Sequence, residues 1–162
     1  MTMIRFSVPS VPVAQPRARA SIRGNHASVY HAKGPVDAFK ASVRLAASEE
    51  YSGAPLEGPL LVDCLFIFPR TKAQMWVRKP MPRLWHTKKP DRDNLDKAVL
   101  DALSGLLWRD DAQVCDGRVR KIIASGDEQP GVRITVIELT ESVIIDVMQQ
   151  RLDDERREAT GG

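Results

Sequence analysis

The chain has 162 residues, enough for one domain with an appendage and for a core that needs no covalent staples. Hydrophobic residues make up 43% and charged residues 28%, which sets disordered chains aside, and no apolar run is long enough to span a bilayer. Net charge is only +3, but it is segregated: residues 70–90 hold seven Lys/Arg, residues 1–36 hold Arg5, Arg17, Arg19, Arg23 and Lys33, and neither stretch holds an acid. Such segregation points to a polyanionic partner, with a solvated basic surface as the plainer alternative.

Met1-Thr2-Met3-Ile4-Arg5-Phe6 lacks the apolar stretch of a signal peptide, and Ile4 to Val8 alternates as a strand does. Pro9 stops it. Residues 9–34, with three prolines and two glycines, read as a long loop or a loose hairpin. Pro35 opens a helix in which Val36, Phe39, Val43, Ala46 and Ala47 recur at helical spacing to about Tyr51. Leu60 to Phe68 suits a central strand, ended by Pro69 and followed by a basic, proline-containing loop to Pro90. A second helix starts near Asp91 to Asn94, carries Leu95, Val99, Leu103 and Leu106 on one stripe, and ends near Gly105 to Trp108. Val114 to Ala124 and Val132 to Leu139 read as two strands across a polar turn, and Glu141 to Glu158 as a last helix. The order predicts an α/β or α+β domain: a mixed sheet of about four strands with two packed helices in residues 1–140, then a helical tail in 141–162. Cys64 and Cys115 show no metal-site spacing and read as two buried free thiols of a reducing cytoplasm.

The informative string runs from Lys88 to Lys97 and resumes at Trp108 to Gln113. Asp91 and Asp93 stand two apart at a helix start, where extended backbone points both carboxylates the same way. A hard cation such as Mg²⁺ takes oxygen ligands and keeps several waters, so a few carboxylates and a phosphate oxygen suffice. Against that stands the bland reading, capping and a solvated turn. Asp110 and Asp111 lie past the far end of the helix, about 15–20 Å from its start by helix rise; sequence alone does not close that gap. Lys97 shares a helical face with Asp93, either as an i, i+4 salt bridge or as a cation beside a scissile phosphate. His86 is either a phosphate contact or proton relay or a surface residue, the second being favoured, while His26 and His31 carry no assigned chemistry. Trp76 and Trp85 flank basic residues and either stack on unpaired bases or anchor their loop on the core, the second being favoured. Trp108 reads as core.

Lys89-Pro90-Asp91-Arg92-Asp93-Asn94-Leu95, Lys97 to Leu103 and Trp108 to Val114 together resemble the RusA family of Holliday junction resolvases. The likeness is dense over residues 86–121 and looser around Pro16-Arg17. It implies a homodimer of α/β subunits that cleaves four-way DNA junctions with Mg²⁺, or Mn²⁺ in its place, by paired symmetric nicks in recombination and repair. By the resemblance the essential acids are Asp91, Asp93 and Asp111, with Asp110 a less critical neighbour, Lys97 the active-site lysine and Lys121 a basic position in the following strand. Arg17, Arg19, Arg23, Lys72, Arg78, Lys79, Lys88 and Lys89, with Lys121, are the expected DNA contacts. Two departures stand out: the acidic clusters are one residue closer than in the family's best-known form, and Arg92 replaces a usually apolar residue. Neither removes a ligand, and Arg92 bears on how the site takes metal or phosphate. The rival readings are a non-catalytic binder of branched DNA and another metal-dependent nuclease or phosphohydrolase. A phosphatase with a DxD nucleophile fits poorly, because Pro90 precedes the pair and a helix follows it.

Overall fold

A computed structural model of the chain describes residues 2–17, 19–23, 26–30 and 34–160. Its elements are β1 (Met3–Val8), β2 (Arg19–Arg23), β3 (His26–Tyr30), α1 (Pro35–Glu50), β4 (Leu60–Phe68), β5 (Leu84–Trp85), α2 (Arg92–Leu103), β6 (Val114–Asp116), β7 (Val119–Ile123), β8 (Gly131–Glu138) and α3 (Glu141–Thr160). Among the described residues they form the expected α+β fold. A mixed six-stranded sheet runs β1-β8-β4-β7-β5, with β6 also on β4, and β2 and β3 form a separate antiparallel hairpin. β4 runs parallel to β6 and β7 and antiparallel to β8. The sheet has more strands than expected, because the basic loop contributes β5 and the stretch 114–124 is divided.

Burial follows the sequence periods. β1 buries Ile4, Phe6 and Val8 and exposes the residues between, so one face of the sheet is apolar. α1 turns Val36, Phe39, Val43 and Ala47 onto that face, and α2 turns Leu95, Ala98, Val99, Ala102 and Leu103. The two helices pack on each other and share one core with Leu60, Val62, Cys64 and Phe66 of β4. Each large side chain so buried contributes about 1.5–3 kcal/mol.

Two glycines decide how the chain reaches the site. α2 stops at Leu103, short of the expected end, because Ser104 leaves helical dihedrals and Gly105 takes φ +76°. The chain then doubles back, with Leu106 and Leu107 N–H groups donating to the Leu103 carbonyl, and drives Trp108 fully into the core, as expected. Gly117, at φ +153°, breaks the single strand predicted for Val114 to Ala124 into β6 and β7; a Cβ there would sit 1.9 Å from the Val62 carbonyl oxygen.

Cys64 is buried and free as read, and burial pushes its thiol up, with Asp96 and Asp63 adding to the effect. Cys115 is exposed, which corrects the expectation of two buried thiols: it lies on the short β6, at the margin of the core. No helix among the described residues is long and apolar enough to cross a membrane.

Candidate active site

The start of α2 is the rim on which the predicted acids stand. Asp91 occupies the N-cap position in extended backbone after a cis Lys89–Pro90 peptide, yet its carboxylate makes no capping hydrogen bond. It accepts instead from Arg17 Nη2 at 3.3 Å. Asp93, in the first turn, is exposed. The bland reading of this pair as caps therefore does not hold at the side-chain level. The loop before it is braced from below by Lys121 of β7, whose ammonium donates to the carbonyls of Lys88 (2.6 Å) and Pro90. Lys121 thus positions the loop that presents Asp91.

Lys97 does not pair with Asp93. Its ammonium lies 3.4 Å from Asp101, one turn further on, and Lys40 of α1 lies 3.4 Å from the same carboxylate. One long contact leaves donors of a three-donor ammonium free at an exposed position.

The second acidic cluster is differently employed. Asp110 caps the single turn Asp111–Gln113 by accepting from Ala112 N–H at 2.8 Å. Asp111 Oδ1 accepts from the indole N–H of buried Trp108 at 2.9 Å. Gln113 secures the turn from both sides: its side-chain Oε1 accepts from the Arg109 and Asp110 N–H groups, and its side-chain Nε2 donates to the Leu56 and Gly58 carbonyls. These bonds fix where Asp111 can be.

Between the clusters stands Asp96, a carboxylate to which the sequence reading gave no role. It lines a cavity of about 310 Å³ with Val62, Val114, Cys115, Asp116 and Gly117. Burial holds its pKa above the usual carboxylate range, Arg92 opposes that, and Asp111 adds to it. Asp111 and Asp96 therefore feel each other across the gap that helix rise left open. Among the described residues, no three His, Cys, Asp or Glu side chains converge closely enough to hold a metal ion. The donors near α2 are hard carboxylate oxygens, right in kind for Mg²⁺, which is commonly held by one or two carboxylates with water and phosphate oxygens completing its shell.

The basic residues divide. Lys72, Arg78, Lys88 and Lys89 are exposed. Lys79 lies 4.0 Å above the Trp76 ring and Arg70 lies 4.9 Å from it, so that indole is clamped by cations within its own loop. The side chains of Arg19 and Arg23, with those of His26 and the whole of His31 and Lys33, lie outside the described residues. His86 is not a plain surface residue: it stacks on Phe68, with ring centroids 4.3 Å apart, and its buried Nδ1 has no hydrogen-bond partner among the described residues. Trp85 corrects the favoured anchoring reading, because it is 72% exposed on the edge strand β5.

Carboxylates and lysines on one rim, beside a cationic loop, make the kind of surface that handles phosphodiesters. The family model described as Endodeoxyribonuclease RusA matches residues 9–137, and the chain belongs to the RusA endodeoxyribonuclease family. It is also 35% identical over 147 residues to an uncharacterized protein, YqaN, of Bacillus subtilis (strain 168), a match covering 86% of this chain and 99% of that protein.

Proposed function

We propose that this chain is a homodimeric, Mg²⁺-dependent endonuclease that resolves four-way DNA junctions by paired, symmetric nicks. One observation carries the reading: the span matched by the nuclease family contains a carboxylate pair, Asp91 and Asp93, that the fold does not use for capping. In this reading Asp91, Asp93 and Asp111 would hold Mg²⁺, or Mn²⁺ in its place, with Asp110 beside them. The bound ion would supply an acidified water and a clamp on the attacked phosphate. Arg17 leaves Asp91 for a DNA phosphate as substrate enters. Lys97 offsets negative charge as it builds on the phosphoryl oxygens. Lys121 keeps the Lys88–Pro90 loop in place, and Lys72, Arg78, Lys79, Lys88 and Lys89 meet backbone phosphates, so binding weakens steeply with salt. A two-fold dimer matches the two-fold symmetry of a junction and offers one site to each of two opposed strands. The same proposal sets the nuclease domain at residues 1–140, treats 141–162 as an appended helix, and places the activity in the cytoplasm, in recombination and repair.

The test is cleavage of a synthetic four-way junction against linear duplex, in Mg²⁺ and in EDTA. Paired nicks that require Mg²⁺ support the reading. Tight junction binding without cleavage under any divalent metal would leave a non-catalytic binder of branched DNA. Equal cutting of linear duplex would leave a less selective nuclease.

A further inference from the structure

The two faces of the sheet are unlike. α1 and α2 cover one. On the other, strand alternation places Arg5 and Ser7 of β1, Asp63 and Leu65 of β4, Arg120 and Ile122 of β7, and Arg133 and Thr135 of β8. α3 reaches one end of this face: Arg151 lies 2.6 Å from Asp116 and 3.4 Å from Asp63, so the acid on the face is already paired. The remainder holds two adjoining cavities of about 250 and 400 Å³ that share Leu65 and Arg120. The first is flanked by Arg5 and Arg133, the second by Arg83 and Trp85. Glu128 pairs with Arg83 and lies 3.6 Å from Arg133. Arg120 makes no ion pair among the described residues. The groove is thus net cationic, floored by Leu65 and Ile122, and ends at an indole that is 72% exposed.

That end adjoins the candidate active site in the chain. Trp85 sits on β5, the edge of the sheet, opposite Ile122 in register. Three residues later come the exposed Lys88 and Lys89, then Asp91. A strand leaving the acids can therefore turn round this edge over two lysines and reach the groove. An arginine-lined groove with a free aromatic face suits a chain of phosphates and flat bases. Two copies of this face brought together would oppose arginine to arginine.

We propose that this groove, from Trp85 past Arg120 to Arg5, is a track for unpaired DNA next to the cleaved phosphate, with a base stacked on Trp85. The proposal rests on the reading that DNA is the substrate and adds a second contact surface on the face away from the acids. The test measures binding of the full-length protein to a fluorescent short oligothymidine and to a duplex, in EDTA, for wild type, Trp85→Ala, Trp85→Phe and Arg120→Glu. Trp85→Ala is expected to weaken oligothymidine binding roughly tenfold with little effect on duplex. Trp85→Phe should restore most of the loss, and Arg120→Glu should weaken oligothymidine binding at least as much. Oligothymidine affinity unmoved by Trp85→Ala overturns the proposal. So does a change of Arg120→Glu from dimer to monomer at unchanged affinity, which would give the face to a second copy of the chain. Junction cleavage by wild type is read separately with Mg²⁺, so failure of the nuclease reading and failure of the groove are distinguishable.

Discussion

The two acidic clusters have the same composition and opposite employment. Asp91 and Asp93 stand at a helix start where carboxylates are favoured as caps, yet Asp91 makes no side-chain cap and, among the described residues, pairs with an exposed arginine. Asp110 and Asp111 stand in a turn where solvated acids would be unremarkable, yet one caps the turn and the other receives the N–H of a fully buried tryptophan. Exposed ion pairs contribute about 0–1 kcal/mol, whereas leaving a buried donor unpaired costs about 1–3 kcal/mol. The first cluster therefore carries little structural duty, whereas the second serves the turn as well as the proposed metal site.

The sharpest way to break this contrast is Asp93→Asn. Loss of a metal-ligating charge should exceed the 10–100-fold typical of outer contacts, so junction cleavage is expected to fall by more than about a hundredfold. Thermal stability should stay within about 0.5 kcal/mol of wild type, as for other exposed substitutions. A large fall in melting temperature would show that the rim has a structural role after all. At the second cluster, Asp111→Ala should abolish cleavage and also strand the Trp108 N–H, costing about 1–3 kcal/mol and lowering Tm by roughly 2–10 °C. Asp111→Asn keeps an acceptor for the indole and should lose activity while recovering most of that stability. Equal melting of the two variants would mean that the Trp108 bond contributes nothing. Arg17→Ala is the smaller probe: freeing Asp91 from a competing cation should lower the Mg²⁺ concentration at half-maximal cleavage by up to about fivefold. A raised requirement would instead make Arg17 part of the metal's support.

Local pattern made part of this legible. β4 spans the predicted Leu60 to Phe68, and α1 begins at Pro35, because an apolar run and a proline at a first turn are signals carried by the residues themselves. The acids and Lys97 were legible as candidates from spacing and resemblance. What was not legible depends on distant backbone. Residues 114–124 alternate well enough for one strand, and only the approach of β4 to Gly117 divides them. β5 is two residues long and exists through pairing with β7, so the exposure of Trp85 had no local signal. Asp96 looked like one more polar residue of α2. Its interaction with Asp111 depends on the doubled-back turn at Gly105, which no local pattern announces. The i, i+4 rule, applied to Lys97 only backwards, points to Asp93; it holds equally forwards, and the structure pairs Lys97 with Asp101, where Lys40 adds a second cation.

His86 sharpens the contrast from the end of the short edge strand, five residues before the first cluster, as a titratable group stacked on the sheet. It stacks on Phe68 with its Nδ1 buried and, among the described residues, unpaired, and removal from water, followed by the charge of Lys121, holds its pKa below the ordinary value of about 6.5. Charging the ring therefore costs more in the folded chain than in the unfolded one. Above about pH 6.5 both states are neutral, and the stability associated with this group is fully present. As pH falls below that value the unfolded state takes up a proton first, and stability declines until the folded value is passed. His86→Phe keeps the stack on Phe68 and removes both the orphaned nitrogen and the titration. Melting curves collected from pH 8 to 5 should run parallel for the two proteins at the upper end and diverge below about pH 6.5, with wild type losing more. Parallel behaviour across the whole range would mean that the imidazole reaches water freely and that the packing against Phe68 is loose. Cleavage of both proteins at pH 8 should agree within a few fold, because the substitution keeps the stack on Phe68 and the proposed cleavage assigns the ring no step.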